Sequence, residues 1–160
     1  MFDRIFNAAQ GYLQLGMVDE ALAEMNQLSE EDSARPEALQ LRVWILMRRQ
    51  KWAEALDYAT ALCQALPELP VPFLDAAYCL HELKRTDEAR TCLENGPRSL
   101  REYPTYHYNL ACYDASLGNT EAARKHLLAA IRMEPRYEQE AMTDPDLKPL
   151  YEKGGPTRKS

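Results

Sequence analysis

The residues able to do chemistry are few and scattered. Cysteines stand at 63, 79, 92 and 112, and histidines at 81, 107 and 126. The cysteines form no C-x-x-C pair and no zinc-finger rhythm, and the histidines do not complete a metal-ligand spacing with them. No metal and no cofactor is therefore expected. Asp144-Pro145-Asp146 lacks the ligand rhythm and glycine of an EF-hand loop, and reads as a turn. One nucleophile is conceivable, Cys112 with His81 near it, because a thiol needs a histidine or a positive setting to ionise. No third residue is evident to orient that pair. A small buried cysteine is the simpler reading, and the chain is expected not to be an enzyme.

Composition narrows the classes further. Charged residues make up 28% and the hydrophobic set 46%, as in an ordinary soluble globular chain. The net charge of −6 argues against nucleic acid, which needs a basic face to displace counterions. All of that excess lies in residues 1–34, where Arg4 faces seven carboxylates. The plain reading is a solvated first helix pair; the sharper one is an acidic end that steers a basic partner. No apolar run spans a membrane, and the first residues, MFDRIFNAAQ, lack the pattern of a signal peptide. The expected address is the cytoplasm, with reduced thiols.

The elements that position these groups come from an internal repeat of period 34. Ala21, Ala55, Ala89 and Ala123 keep this step, as do Pro36, Pro70 and Pro104, and the small set Ala9, Val43, Ala77 and Ala111. Ile5, Leu39, Phe73 and His107 form a further series. Each repeat reads as two helices. Pro36 suits a first helical turn, and Leu39, Val43 and Leu46 share one face. A break follows near Gln50-Lys51, then a second apolar stripe of Trp52, Ala55, Leu56, Ala59 and Leu62. The other breaks include Leu15-Gly16 and Leu117-Gly118, where glycine permits the left-handed residue that closes a helix. Asp19, Asp87 and Asn119 stand where they could cap the second helices. No strand pattern is present. Gly96-Pro97 falls inside the expected second helix of the third repeat, so that helix should stop near Asn95, with 97–103 irregular or briefly helical.

Two helices per 34 residues, an alanine in the second helix and a closing proline resemble the tetratricopeptide repeat. The best match is 104–137, with Leu110-Ala111, Gly118, Ala123, Leu127, Ala130 and Pro135 in the family's order. Arg42 departs from the pattern at a place for Leu, and Asp114 at a place for Tyr. The resemblance implies an all-α fold: a right-handed superhelical solenoid of four helix-turn-helix repeats at about 2–35, 36–69, 70–103 and 104–137. A capping segment at 138–152 completes a single domain, 1–152, and 153–160 reads as a flexible tail. HYNLACYDASLG with DPDLKPL is similar to the closing repeat of many bacterial tetratricopeptide proteins. Tyr137, Met142, Leu147, Leu150 and Tyr151 could cover the last repeat.

In that family the first helices line a concave surface where ligands lie. Carried over, the resemblance implies a partner-binding groove of Phe6, Gln10 and Leu13, then Gln40, Trp44, Met47 and Arg48, then Leu74, Tyr78 and His81, then Tyr108 and Cys112. Each set lies on one helix face. Such aromatic and methionine content is that of a protein interface rather than a solvated face. The expected function is a non-catalytic scaffold or adaptor binding a peptide or helix of a partner protein, with homo-oligomerisation open. The clamp that some family members use for acidic chaperone tails has no counterpart, since Phe6, Gln10, Leu41, Val71 and Asp75 stand at its places. The alternatives are a chaperone like those of type III secretion, holding an apolar client, and a self-assembling structural protein.

Overall fold

The structure is a computed structural model and describes residues 1–152; the tail expected at 153–160 lies outside the described residues. Among the described residues the regular structure is helical, with no strand. Backbone contacts divide the chain into two compact units, Met1–Pro67 and Glu68 onward.

The first unit holds α1 (Phe2–Gln14) packed on α2 (Val18–Met25), a single turn α3 (Glu30–Ser33), and α4 (Pro36–Arg48) packed on α5 (Trp52–Ala65). The second holds α6 (Pro70–Glu82) on α7 (Thr86–Glu94), and α8 (Pro104–Ser116) on α9 (Thr120–Met133). A 3-10 turn, Arg98–Glu102, joins the two pairs. After α9 come α10 (Tyr137–Thr143), a 3-10 turn at Pro145–Leu147, and α11 (Lys148–Glu152).

The repeated residues do the repeated work. Ala21, Ala55, Ala89 and Ala123 are fully buried, as are Ala9, Val43, Ala77 and Ala111. Small side chains there let two helices approach closely. Pro36, Pro70 and Pro104 open α4, α6 and α8, where a missing N–H breaks no helical bond. The first helix of each repeat ends the same way. Gly16, Gln50, Lys84 and Gly118 all have positive φ, between 56° and 84°. Each donates its N–H to the carbonyl three residues back, and the following residue donates to the carbonyl five back, as Met17 does to Tyr12. That is the Schellman ending, which uses up carbonyls the helix leaves unpaired. Glycine makes it cheap at 16 and 118; at 50 and 84 the same geometry is imposed on residues with a Cβ.

Two sequence expectations need correction. Asp19, Asp87 and Asn119 make no side-chain cap. Asp19 and Asp87 lie inside the first turns of α2 and α7, where a carboxylate acts through the helix dipole. Asn119 holds the cap position of α9, but its amide turns back to donate to Asp114 Oδ1 at 3.2 Å. The cap is also composed differently. Tyr137, Ala141, Leu147 and Leu150 are buried, whereas Met142 is 70% exposed. Arg124 of α9 donates to the Leu150 carbonyl at 3.0 Å and ties α11 down.

Gly96-Pro97 behaves as its chemistry requires. α7 stops at Glu94, and the chain turns into the 3-10 segment. A Cβ on Gly96 would collide with Leu100 and press on the Phe73 ring, at 3.2 and 3.3 Å from two of its carbons.

Candidate functional site

In the first unit the candidate residues divide between packing and surface. Leu13 belongs to the buried cluster with Phe2, Ala9, Met25, Leu41 and Ile45, and Phe6 packs against that cluster. Phe6 also stacks on Phe2, with centroids 5.4 Å apart, and the Arg35 guanidinium covers Phe2 from 4.2 Å. Gln10, Gln40 and Met47 are half-buried, while Trp44 and Arg48 are exposed on α4. Arg42, placed where the family has Leu, reaches across to α2. Its guanidinium donates to the Met25 backbone carbonyl at 3.4 Å, which also accepts from the Leu28 N–H, and to the Asn26 side-chain Oδ1 at 3.5 Å.

In the second unit four of the candidates meet. Tyr78 and His81 from α6 and Tyr108 and Cys112 from α8 line one cleft of about 430 Å³, closed on its other side by Glu140, Thr143 and Asp144-Pro145-Asp146. Leu74, one turn back on α6, is half-buried. The Asp-Pro-Asp segment is held by the very residues that the family resemblance assigns to a ligand. The Tyr108 hydroxyl donates to Asp144 Oδ2 at 2.7 Å, and Cys112 Sγ points at the same oxygen from 3.7 Å. His81 Nε2 lies 2.9 Å from Asp146 Oδ2, and its Nδ1 lies 2.9 Å from Thr86 Oγ1. Asp144 Oδ1 accepts the Asp146 N–H at 3.0 Å, which makes the turn. Beside it, Tyr108 stacks on Tyr137 with centroids 4.4 Å apart, and the Tyr137 and Thr105 hydroxyls are 3.0 Å apart.

The electrostatics follow from this arrangement. The hydrogen bond from His81 holds the Asp146 carboxyl below its usual range, against the opposing effect of partial burial. Burial first, then Asp144 and Asp146, push the Cys112 thiol far up. Burial and the bond to Asp144 likewise raise the Tyr108 phenol far above its usual value. A nucleophilic thiol needs the reverse setting, and His81 turns its ring nitrogens to Asp146 and Thr86 instead. Cys79 is pushed up to about 12 and Cys92 to about 11, both mainly by burial. Tyr78, at the rim, is 39% exposed.

One departure from the repeat pattern proves to be a buried charge. Asp114 is fully buried on α8. Arg90 Nε stands 2.9 Å from its Oδ1, and His126 Nε2 stands 3.7 Å from its Oδ2. Arg90 also pairs with Glu94 at 3.0 Å. A buried carboxylate requires such a partner, so this departure from the repeat pattern joins α7 and α8 through charge, with the His126 ring of α9 beside it. Burial lowers the His126 pKa, more than Asp114 raises it.

Helix hairpins of one period, small residues at their crossings and a capped last pair define a helical repeat protein. Residues 104–137 match the family model described as tetratricopeptide repeat. The helix pair of that match recurs at the 34-residue step through the preceding described residues. Three solved structures share the fold of this chain. MamA 41-end from Desulfovibrio magneticus RS-1 is 18% identical, with TM-score 0.75, covering 94% of this chain and 89% of that one. A double mutant of MamA RS-1 is 12% identical, with TM-score 0.73, covering 89% and 78%. YrrB, described as a tetratricopeptide protein with an unusual peptide-binding site, is 17% identical, with TM-score 0.66, covering 91% and 81%. Among curated proteins nothing matches the chain.

Proposed function

We propose that this chain is a non-catalytic protein-interaction scaffold, with residues 1–152 acting as one module that binds a peptide or helix of a partner along the first helices of its repeats. The observation that carries this reading is the cleft of the second unit. It is walled by α6 and α8 and rimmed by the exposed Tyr78. Its own Asp-Pro-Asp segment occupies one side by hydrogen bonds from a tyrosine and a histidine. Those are groups that serve a peptide from outside equally well. In the first unit, Trp44 is exposed on α4, an aromatic side chain of the kind that anchors partners. The fold shared with YrrB, a protein with a peptide-binding site, supports the same reading. A bacterial cytoplasm suits the likeness to bacterial closing repeats. No helix among the described residues is long and apolar enough to cross a membrane.

The test is selection of displayed peptides on the intact chain and on a Trp44→Ala, Tyr78→Ala double variant of equal helical circular dichroism. Peptides enriched on the first and lost on the second support the groove. Enrichment that ignores both substitutions moves the binding surface elsewhere.

A further inference from the structure

The cleft of the second unit gathers donor atoms that no sequence motif announces. Cys112 Sγ and a carboxylate oxygen each from Asp144 and Asp146 lie within 4.8 Å of one another. His81 Nε2 stands outside that group of three but touches one member, Asp146 Oδ2, at 2.9 Å. The four residues come from three places: the last turn of α6, the middle of α8, and the turn after α10. We infer that Cys112, Asp144, Asp146 and His81 form a site for one divalent transition-metal ion of the zinc class.

The donor set fits that ion. One sulfur, one imidazole and two carboxylates suit zinc and cobalt rather than calcium or magnesium, which take oxygen shells. The spacing of the Cys112, Asp144 and Asp146 donors, all within 4.8 Å of one another, is close to what such an ion needs. Donors placed about 2.0–2.3 Å from a tetrahedral ion stand about 3.5 Å from one another. Cys112 Sγ and Asp144 Oδ2 are 3.7 Å apart. Supporting bonds are already formed. Metal-binding histidines commonly use their other ring nitrogen to fix orientation, and Thr86 Oγ1 holds His81 Nδ1 at 2.9 Å. Ligating carboxylates are themselves hydrogen-bonded, and Asp144 is gripped by the Tyr108 hydroxyl at 2.7 Å and by the Asp146 N–H.

Two further observations point the same way. Tyr113 lines this cleft, is 1% exposed, and its phenol oxygen has no hydrogen-bond partner among the described residues. Two carboxylates stand beside a buried thiol, a setting of negative and polarisable donors that favours a cation. Binding takes the proton from Cys112 Sγ to solvent as the metal–thiolate bond forms; the His81 ring proton moves from Nε2 to Nδ1, where Thr86 Oγ1 accepts it, and the Nε2 lone pair meets the ion in place of the hydrogen bond to Asp146. The cleft opens to solvent, so the ion has a way in.

The test uses the full chain stripped with a chelator, then titrated with zinc chloride or cobalt chloride alone. The expected result is one equivalent bound, a thiolate-to-cobalt charge-transfer band, and release of a proton. Affinity should rise about tenfold per pH unit while the thiol proton is being displaced. Cys112→Ser should abolish the band. Asp146→Asn, which alters a half-exposed residue and spares the core, should weaken binding under the same conditions. Thr86→Val should weaken it about 10- to 100-fold without removing a ligand. The assignment is overturned by substoichiometric binding, by a band that survives Cys112→Ser, or by Asp146→Asn and Thr86→Val variants that bind as the parent does. None of these readouts depends on whether the cleft also takes a peptide.

Discussion

Tyr108 and Asp144 are joined by a 2.7 Å hydrogen bond that reaches across 36 positions, from the middle of α8 to the turn after α10. It fastens the cap to the helix that the cap covers. A nearly buried phenol donating to a carboxylate is worth more than a neutral pair.

Tyr108→Phe should therefore lower the stability of the chain by about 1.5 kcal/mol, the modest end for a hydrogen bond to a charged group whose acceptor can rehydrate. Urea unfolding at neutral pH measures it. In an Asp144→Asn background the same substitution should cost clearly less. Equal costs in the two backgrounds would show that the bond contributes nothing. Tyr103→Phe, at an exposed tyrosine, is the control.

Gln50 and Lys84 adopt φ of 56° and 64°, in the left-handed region. A residue with a Cβ pays for that conformation, and glycine does not, though glycine loses more entropy on folding. Gln50→Gly and Lys84→Gly should each raise stability by about 0.5–1 kcal/mol. Gly118→Ala should lower it by a similar amount. Thermal melts of the three variants decide the point, and a loss of stability in both glycine variants would contradict it.

Gly96→Ala should be costly for a reason unrelated to dihedral freedom. The new methyl meets Leu100, which is fully buried, and the Phe73 ring. Overpacking of this kind costs about 1–3 kcal/mol. A Gly96→Ala, Leu100→Ala double variant should recover part of the clash, leaving only the cavity cost of the leucine. If Gly96→Ala melts with the parent, the 3-10 segment relaxes freely and the packing argument fails.

His126 gives the chain a dependence on pH. Its folded pKa lies below the ordinary value of about 6.5. In the interval between the two values the unfolded chain binds more protons than the folded one. The stability concerned is present above about 6.5 and is lost as pH falls through the folded value. Asp114, His107, Arg90 and Glu94 are the charged or titratable groups that act on this ring. His126→Asn should flatten the decline in urea midpoint between about pH 7.5 and about pH 5. An unchanged decline would place the sensitivity in another group.

The repeat was legible because its determinants are local and steric. Ala21, Ala55, Ala89 and Ala123 mark helix crossings that admit only small side chains, and each proline marks a first turn. The early stop at Gly96-Pro97 was legible for the same reason. The left-handed residues at 50 and 84 carry no such mark, because neither is glycine; only their 34-residue distance from Gly16 and Gly118 points to them. The contact between His81 and Asp146 spans 65 positions and depends on how the cap folds back, which no local pattern encodes. In the sequence Asp114 shows only as a departure at a place for tyrosine. Its meaning needed Arg90 and His126, supplied by two other helices. Phe6 and Leu13 fit a groove stripe by spacing, yet the packing of α1 against its neighbours draws them toward the core.

The buried leucines of the cap carry a consequence for biosynthesis. Leu147 and Leu150 are fully enclosed, and each such burial is worth about 1.5–3 kcal/mol. Both lie downstream of every helix pair, so they leave the ribosome after α9 does. At a translation rate of about 5–20 residues per second, the fourth pair waits on the order of a second with its apolar side uncovered. During that interval a nascent chain offers the quality-control machinery a surface that the finished molecule hides. A stop codon between α9 and the cap would make that brief exposure permanent.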